Sequence, residues 1–212
     1  MTSTTTKMCM ESRPGFSWAQ ADNLAAAKNW LKIAPQSNEI FTLVGKYLPD
    51  AGKVAGIPAD WIDQLCLDYP ATVFLVEGDG SAGRSLKGHL PYEPVIPAST
   101  SLLVPVIGLD VLGKSLNADN VHRPEVLCEI TVAKPGAPID SATVLAALLH
   151  EKGYLRQAPR TASVLPLFNK LETFHLWKEG LQLSNQLLSF RHPQIKSVLA
   201  GSVHQNCFKR LS

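Results

Sequence analysis

The sequence predicts an α/β domain built on a three-layer, mostly parallel sheet. Two observations carry this reading. Apolar runs of strand length recur along the chain, and segments with helical spacing of apolar residues separate them. The runs show little polar alternation, as expected of strands covered on both faces. A chain of 212 residues can bury a substantial core, and 1–212 is read as a single domain.

The elements follow in order. Residues 17–33 form a helix capped by Ser17, with Leu24, Ala27, Trp30 and Leu31 on one stripe. Residues 39–44 (EIFTLV) form a strand. Pro58 opens a helix through residue 67, since proline suits the first turn. Residues 72–76 (TVFLV) form the next strand, introduced by Tyr69-Pro70. Residues 101–109 (SLLVPVIGL) and 163–168 (SVLPLF) are two more, with Pro105 and Pro166 where no ladder donor is needed. Residues 195–200 (IKSVLA) make a fifth. Asp140 or Ser141 caps a helix that ends near Gly153. A long helix spans 174–190, with Leu176, Leu183, Leu187 and Phe190 at helical spacing, and Pro193 stops it. Residues 78–100 are one long irregular stretch rich in Gly and Pro, of the length that is usually functional or mobile. Its segment Glu93-Pro94-Val95-Ile96-Pro97 reads as a stiff structural brace.

Composition narrows the function classes. Apolar residues make up 45% and charged residues 18%, so the chain is not disordered by composition. A formal charge of +2 does not suggest a nucleic-acid partner. Residues 196–212 carry Lys196, Lys209 and Arg210 and no acid, which reads as a solvated terminus. No apolar run approaches the roughly 20 residues that span a bilayer, and the first ten residues have no apolar h-region. A cytoplasmic protein without a membrane partner is expected. The four cysteines, Cys9, Cys66, Cys128 and Cys207, form no CxxC pair and are read as reduced thiols. The six histidines do not cluster at metal-ligand spacing, and His122-Arg123-Pro124 reads as a polar loop contact.

Two constellations could carry chemistry. In Phe74-Leu75-Val76-Glu77-Gly78-Asp79-Gly80 an apolar strand ends in two carboxylates and two glycines. Ligands of open α/β sheets sit beyond such strand ends, and Glu77 and Asp79 there could hold Mg²⁺ directly or through water. The plainer reading is an Asp-Gly turn. Arg84 and Lys87 follow closely, either to neutralise phosphate charge or as solvated loop charges. The second constellation is Asn169-Lys170-Leu171-Glu172 after the strand at 163–168. It is similar to the Asn-Lys-x-Asp base-reading motif of P-loop GTPases. Alternatively, Asn169 caps the next helix and Lys170 faces solvent.

These segments together resemble the selenium-dependent hydroxylase accessory protein family, often called YqeC. The matching stretches are 4–8 (TTTKM), 53–65 (KVAGIPADWIDQL), 76–97 (VEGDGSAGRSLKGHLPYEPVIP), 108–121 (GLDVLGKSLNADNV) with His122-Arg123, and 164–170 (VLPLFNK). Family members usually have alanine in place of Gly78. The resemblance implies a P-loop NTPase-like accessory factor for a selenium-dependent molybdenum hydroxylase, acting in molybdenum cofactor handling or insertion. Its partner would be the hydroxylase or a cofactor-maturation protein. The implied cofactor is a nucleoside triphosphate with Mg²⁺. Glu77 and Asp79 would hold the metal and act in catalysis. Thr5, Thr6, Lys7, Arg84, Lys87, Asn169, Lys170 and Glu172 would contact the cofactor.

Family members usually begin with a strand, a Gly-x-Gly-Gly-Lys-Thr loop and a helix, before a second strand ending in Thr-Thr-Thr-Lys. Here that last segment lies at 4–7, so the first strand, phosphate loop and helix are expected to be missing. Gly108, Gly113, Lys114 and Ser115 do spell G-x-x-x-x-G-K-S. Asp110 would repel phosphate inside such a loop, and Leu116-Asn117-Ala118-Asp119 is a poor helix start, so this is not read as a P-loop. Weak nucleotide binding without hydrolysis is the resulting expectation. A non-catalytic cofactor- or partner-binding module is one alternative. A metal-dependent small-molecule enzyme using Glu77, Asp79 and a third ligand such as Asp110 is another.

Overall fold

The computed structural model describes residues 1–5, 17–33 and 40–212. Thr6, Lys7, Cys9 and Glu39 lie outside the described residues. The chain divides into two compact units, Met1–Gly80 with Val95–Ser99, and Ser81–Pro94 with Thr100–Ser212. Both are α/β, and most strand pairs are parallel.

The first unit contains β1 (Thr2–Ser3), β2 (Ser17–Gln20), α1 (Leu24–Ile33) and β3 (Phe41–Val44). A short hairpin, β4 (Tyr47–Leu48) with β5 (Lys53–Val54), precedes α2 (Ala59–Asp68) and β6 (Val76–Glu77). β2 runs parallel to β3, and β1 runs parallel to β6. The Leu43 N–H donates to the Met1 carbonyl (2.8 Å), which brings β3 beside β1. The core gathers Ala21, Ala27, Leu43, Ile57, Ile62 and Leu65.

Two expectations are corrected here. Ser17 does not cap a helix. Ser17–Gln20 is a strand with Ala19 buried, and the helix starts after Asn23, whose Oδ1 accepts the Ala26 N–H at 2.8 Å. The strand expected at 72–76 pairs only at Val76–Glu77, because its described neighbour β1 is two residues long. Phe74 and Val76 still turn inward, while Val73 and Leu75 are exposed.

The second unit opens with β7 (Leu86–Lys87), β8 (Leu102–Leu103), β9 (Val106–Gly108) and β10 (Val121–His122). Then come α3 (Pro124–Ile130), α4 (Ser141–Leu149), β11 (Ser163–Val164), β12 (Leu167–Asn169), α5 (Phe174–Ser189), β13 (Val198–Ser202) and β14 (Cys207–Leu211). The central sheet runs β14-β13-β12-β9, with only β14 antiparallel. A bond from the Gly108 N–H to the Ser85 carbonyl (3.0 Å) carries it on toward β7, which pairs with β10. Ile107, Phe168, Val198 and Ala200 pack with Val144 and Leu148 of α4 and Leu183 and Leu187 of α5 in one core.

The strands expected at 101–109 and 163–168 are each split in two, β8 and β9, β11 and β12. Both halves keep the same parallel register, Val164 opposite Leu103 and Leu167 opposite Val106, so Pro105 and Pro166 lie at the same level. Each proline removes one ladder donor, and the ladder breaks there. The fifth strand sits slightly later than expected, at Val198–Ser202. The tail is corrected more fully: Cys207–Leu211 is an edge strand zipped onto β13, although Lys209 and Arg210 are exposed. Of the expected polar loop at 122–124, His122 lies in β10 and Pro124 opens the helix Pro124–Ile130. Asp140 caps α4, as expected, but the helix ends at Leu149. Gly153 lies beyond it, tight against the Ala147 carbonyl. Thr173 caps α5 through the Leu176 N–H (3.3 Å). No described helix is long and apolar enough to cross a membrane. Cys66, Cys128 and Cys207 are free thiols.

Candidate functional site

In the first unit the carboxyl ends of β1 and β6 lie side by side, because the two strands are parallel. The Thr4 N–H donates to the Glu77 carbonyl (3.0 Å), and the Thr4 hydroxyl donates to the Val95 carbonyl (2.6 Å). Val95 in turn donates its N–H to the Gly78 carbonyl (3.1 Å). Ser3 Oγ lies 2.8 Å from Thr5 Oγ1 and donates to the Glu77 carbonyl. Thr5 and the acidic turn of Glu77 and Asp79 therefore share one rim. Gly56 belongs to the same rim. A Cβ there would sit 2.3 Å from the Ser3 carbonyl oxygen, so only glycine lets the segment between β5 and α2 approach β1.

The Glu77 carboxyl is held above its ordinary value, first by desolvation and then by the negative charge of Asp79. A divalent cation would relieve that repulsion. The pair offers hard oxygen ligands of the kind Mg²⁺ takes while keeping several waters. Among the described residues, no three His, Cys, Asp or Glu side chains gather as metal ligands.

In the second unit a polar cluster forms where β9 and β12 end. Lys170 follows Asn169 in the left-handed region (φ 65°), and its ammonium donates to Ser85 Oγ at 2.7 Å. Ser85 donates to Asp110 Oδ1 at 2.5 Å. Lys114 reaches Asp110 Oδ2 at 3.2 Å, and Lys170 lies 3.6 Å from Oδ1. Burial pushes the Asp110 carboxyl up, but the hydrogen bonds from Ser85 and Lys114 and the two lysine charges outweigh it. The group titrates below its ordinary value. Two part-exposed ammoniums thus surround one carboxylate, an arrangement able to take up an anion.

Asn169 and Glu172 brace the neighbouring turn. Asn169 Oδ1 accepts the Val203 N–H (2.9 Å), and Ser202 Oγ donates to Glu172 Oε1 (3.2 Å). Asn169 Oδ1 therefore does not cap the next helix, which Thr173 caps instead. The stretch 108–115 is not a phosphate loop: Leu109–Val111 form a single 3-10 turn, Lys114 pairs with Asp110, and no helix follows.

Arg84 is exposed and donates through Nε to the Ala118 carbonyl (3.0 Å), as a loop charge would. Lys87 is not solvated. It is 3% exposed and lies 3.3 Å from Glu93 Oε2, which also receives Arg123 Nη1 and the Leu90 N–H (3.2 Å). Tyr154 accepts the Lys87 N–H (3.1 Å), and its ring meets His89 edge-on at 4.4 Å. Sequence reasoning missed this ionic knot. Glu93 read as part of a brace and Arg123 as a loop contact, and the 30-residue gap between them gives no local signal.

The molecule is thus an α/β protein of mostly parallel sheets whose polar clusters sit at the carboxyl ends of strands. The YqeC protein family model matches residues 1–125, more than half of the chain, and the chain belongs to that family. It is similar to "Uncharacterized protein YqeC" of Escherichia coli (strain K12), at 27% identity over 155 residues. That alignment covers 73% of this chain, which spans only 59% of the relative's length. No solved structure matches the chain.

Proposed function

We propose that the chain is a nucleotide-binding accessory factor of P-loop NTPase-like type. It serves the maturation of a selenium-dependent molybdenum hydroxylase, at the stage of molybdenum cofactor handling. The observation that carries the nucleotide reading is the cluster of Lys170, Lys114, Ser85 and Asp110 at the ends of β9 and β12. Its excess positive charge suits a phosphate group. Within the first unit, Glu77 and Asp79 would by themselves hold a Mg²⁺ ion, and Thr5 lies on their rim. Membership of the YqeC family supports the role.

Binding is expected to be weak. Asp110 already occupies both ammoniums, and a phosphate must displace it from them. A fluorescent nucleoside diphosphate, titrated with and without Mg²⁺, should bind with a dissociation constant no tighter than about 100 μM, near −5.5 kcal/mol. Lys170→Ala should abolish that binding, and no phosphate release should accompany it. Tight binding that survives Lys170→Ala would reject the assignment. For the cellular role, loss of the protein should lower the molybdenum cofactor content of the hydroxylase.

A further inference from the structure

One face of the central sheet in the second unit is apolar and packs into neither hydrophobic core. Side chains alternate along a strand, so Ile107, Phe168 and Ala200 point to the helices while their neighbours point away. The outward set is Leu102, Val104 and Val106, which are 52%, 40% and 50% exposed, with half-buried Leu165, Leu167 and Leu199 and, on the edge strand, exposed Phe208. None of the seven joins a described core. Parallel sheets are ordinarily covered on both faces. The register ends this row in a cation: Val106, Leu167, Leu199 and Arg210 lie abreast across four strands. Arg210 is exposed, and no ion pair reaches it among the described residues.

We propose that this face is a docking surface for a single amphipathic helix of a partner protein, with its leucine face on the sheet and acidic residues along the margin over Arg210. Size decides against a second copy of this chain. Four strands about 4.8 Å apart and four to five residues at about 3.3 Å each define a patch roughly 19 Å by 15 Å. That is on the order of 300 Å², well below the roughly 800 Å² per partner of a stable dimer. A helix is about 10 Å wide with its side chains, and about 11 residues cover 16 Å, so one helix of three turns fits. The single cation at the β14 edge sets the sign of the partner's flank.

The test uses the full chain and a synthetic 14-residue helical peptide with leucines at i, i+3, i+7 and i+10 and glutamates along one margin, followed by fluorescence anisotropy. Saturable binding is expected, weakened at least tenfold by Val106→Glu. Arg210→Glu should also weaken it and should bind a lysine-margin version of the peptide better than the unsubstituted protein does. Val106→Thr, nearly isosteric, should weaken binding by a smaller factor and guards against misfolding of the glutamate variant. Equal binding of a composition-matched scrambled peptide would overturn the proposal, as would an unchanged margin preference in Arg210→Glu. A dimer in sedimentation that Val106→Glu dissolves would make a second copy the occupant. A bimane dye on Leu167→Cys that already reports a buried setting in the free chain would make another part of this chain the cover. Either result overturns it.

Discussion

Lys170 and Asp110 hold one hydroxyl between them: the ammonium donates to Ser85 Oγ at 2.7 Å, and that oxygen donates its own proton to Asp110 at 2.5 Å. Three chain segments far apart in sequence are thereby tied at the carboxyl end of the sheet. The tie depends on an ionised carboxylate. A carboxyl with a lowered folded pKa adds stability that is present above its unfolded value near 3.9 and is lost as pH falls through the folded value. Asp110→Asn should therefore lower the melting temperature at pH 7, and the difference from the unsubstituted protein should shrink below about pH 4. Thermal unfolding at both pH values checks this. An equal loss at each would assign the effect to packing rather than charge.

Glu77 behaves with the opposite sign. Its carboxyl is raised by desolvation and by Asp79, so the folded state prefers it protonated. That preference stabilises the fold at low pH and fades as pH rises through the folded value. Glu77→Gln should thus be neutral at acid pH and mildly stabilising at pH 7. Asp79→Asn should bring the Glu77 titration downward without restoring it fully, because burial remains. Carbon-13 NMR of the Glu77 carboxyl reads both shifts directly. Millimolar Mg²⁺ should lower the same titration in the unsubstituted protein and not in Asp79→Asn.

The buried knot at Glu93 makes a stronger demand. One carboxylate serves Lys87, which is almost wholly enclosed, and Arg123. Glu93→Gln keeps the shape and removes the charge, leaving two cations without it. Removing one partner from a buried ion pair typically costs on the order of 3 kcal/mol. Urea denaturation should show a loss of that size, with the slope unchanged. Gly88 is bound to the same region for a steric reason. A Cβ there would lie 2.5 Å from the Arg123 carbonyl oxygen and 2.8 Å from Val126 Cβ. Gly88→Ala should therefore destabilise by about 1–3 kcal/mol through overpacking.

What could be read from the sequence was local. Apolar runs located β8 with β9 and β11 with β12, and the helical spacing from 174 with the stop at Pro193 located α5. The acids at 77 and 79 do end a parallel strand. What could not be read depends on partners distant in sequence. Cys207–Leu211 places Lys209 and Arg210 in a strand and looks like a solvated tail until β13 is beside it. Pro124–Ile130 is seven residues long, too short for periodicity to announce. The burial of Lys87 follows from Glu93 and Arg123, neither of which signals its role locally. Ser17 and Asn23 are both good caps, and only the pairing of Ser17–Gln20 with Phe41–Val44 decides between them.

Asp140 offers the simplest test of the local rules. It stands just before α4, where the first N–H groups of a helix lack partners. Its Oδ1 accepts both the Thr143 N–H (2.8 Å) and the Thr143 hydroxyl (2.7 Å). Those bonds, the hydroxyl's foremost, hold the carboxyl below its ordinary value. Asp140→Ala removes the cap and should cost about 1 kcal/mol, within the usual range of roughly 0.5–2 for such caps. Asp140→Asn keeps an acceptor oxygen and should recover most of that loss. Because the folded pKa is depressed, the stability is in place above pH 4 and falls away as the carboxyl protonates. The alanine variant should therefore converge with the unsubstituted protein in acid, and both variants should show a flatter pH profile than the unsubstituted protein, because neither carries this carboxyl. Guanidinium unfolding at pH 7 and pH 3 separates these outcomes. A pH-independent loss in Asp140→Ala would mean that the carboxylate charge contributes nothing to capping α4.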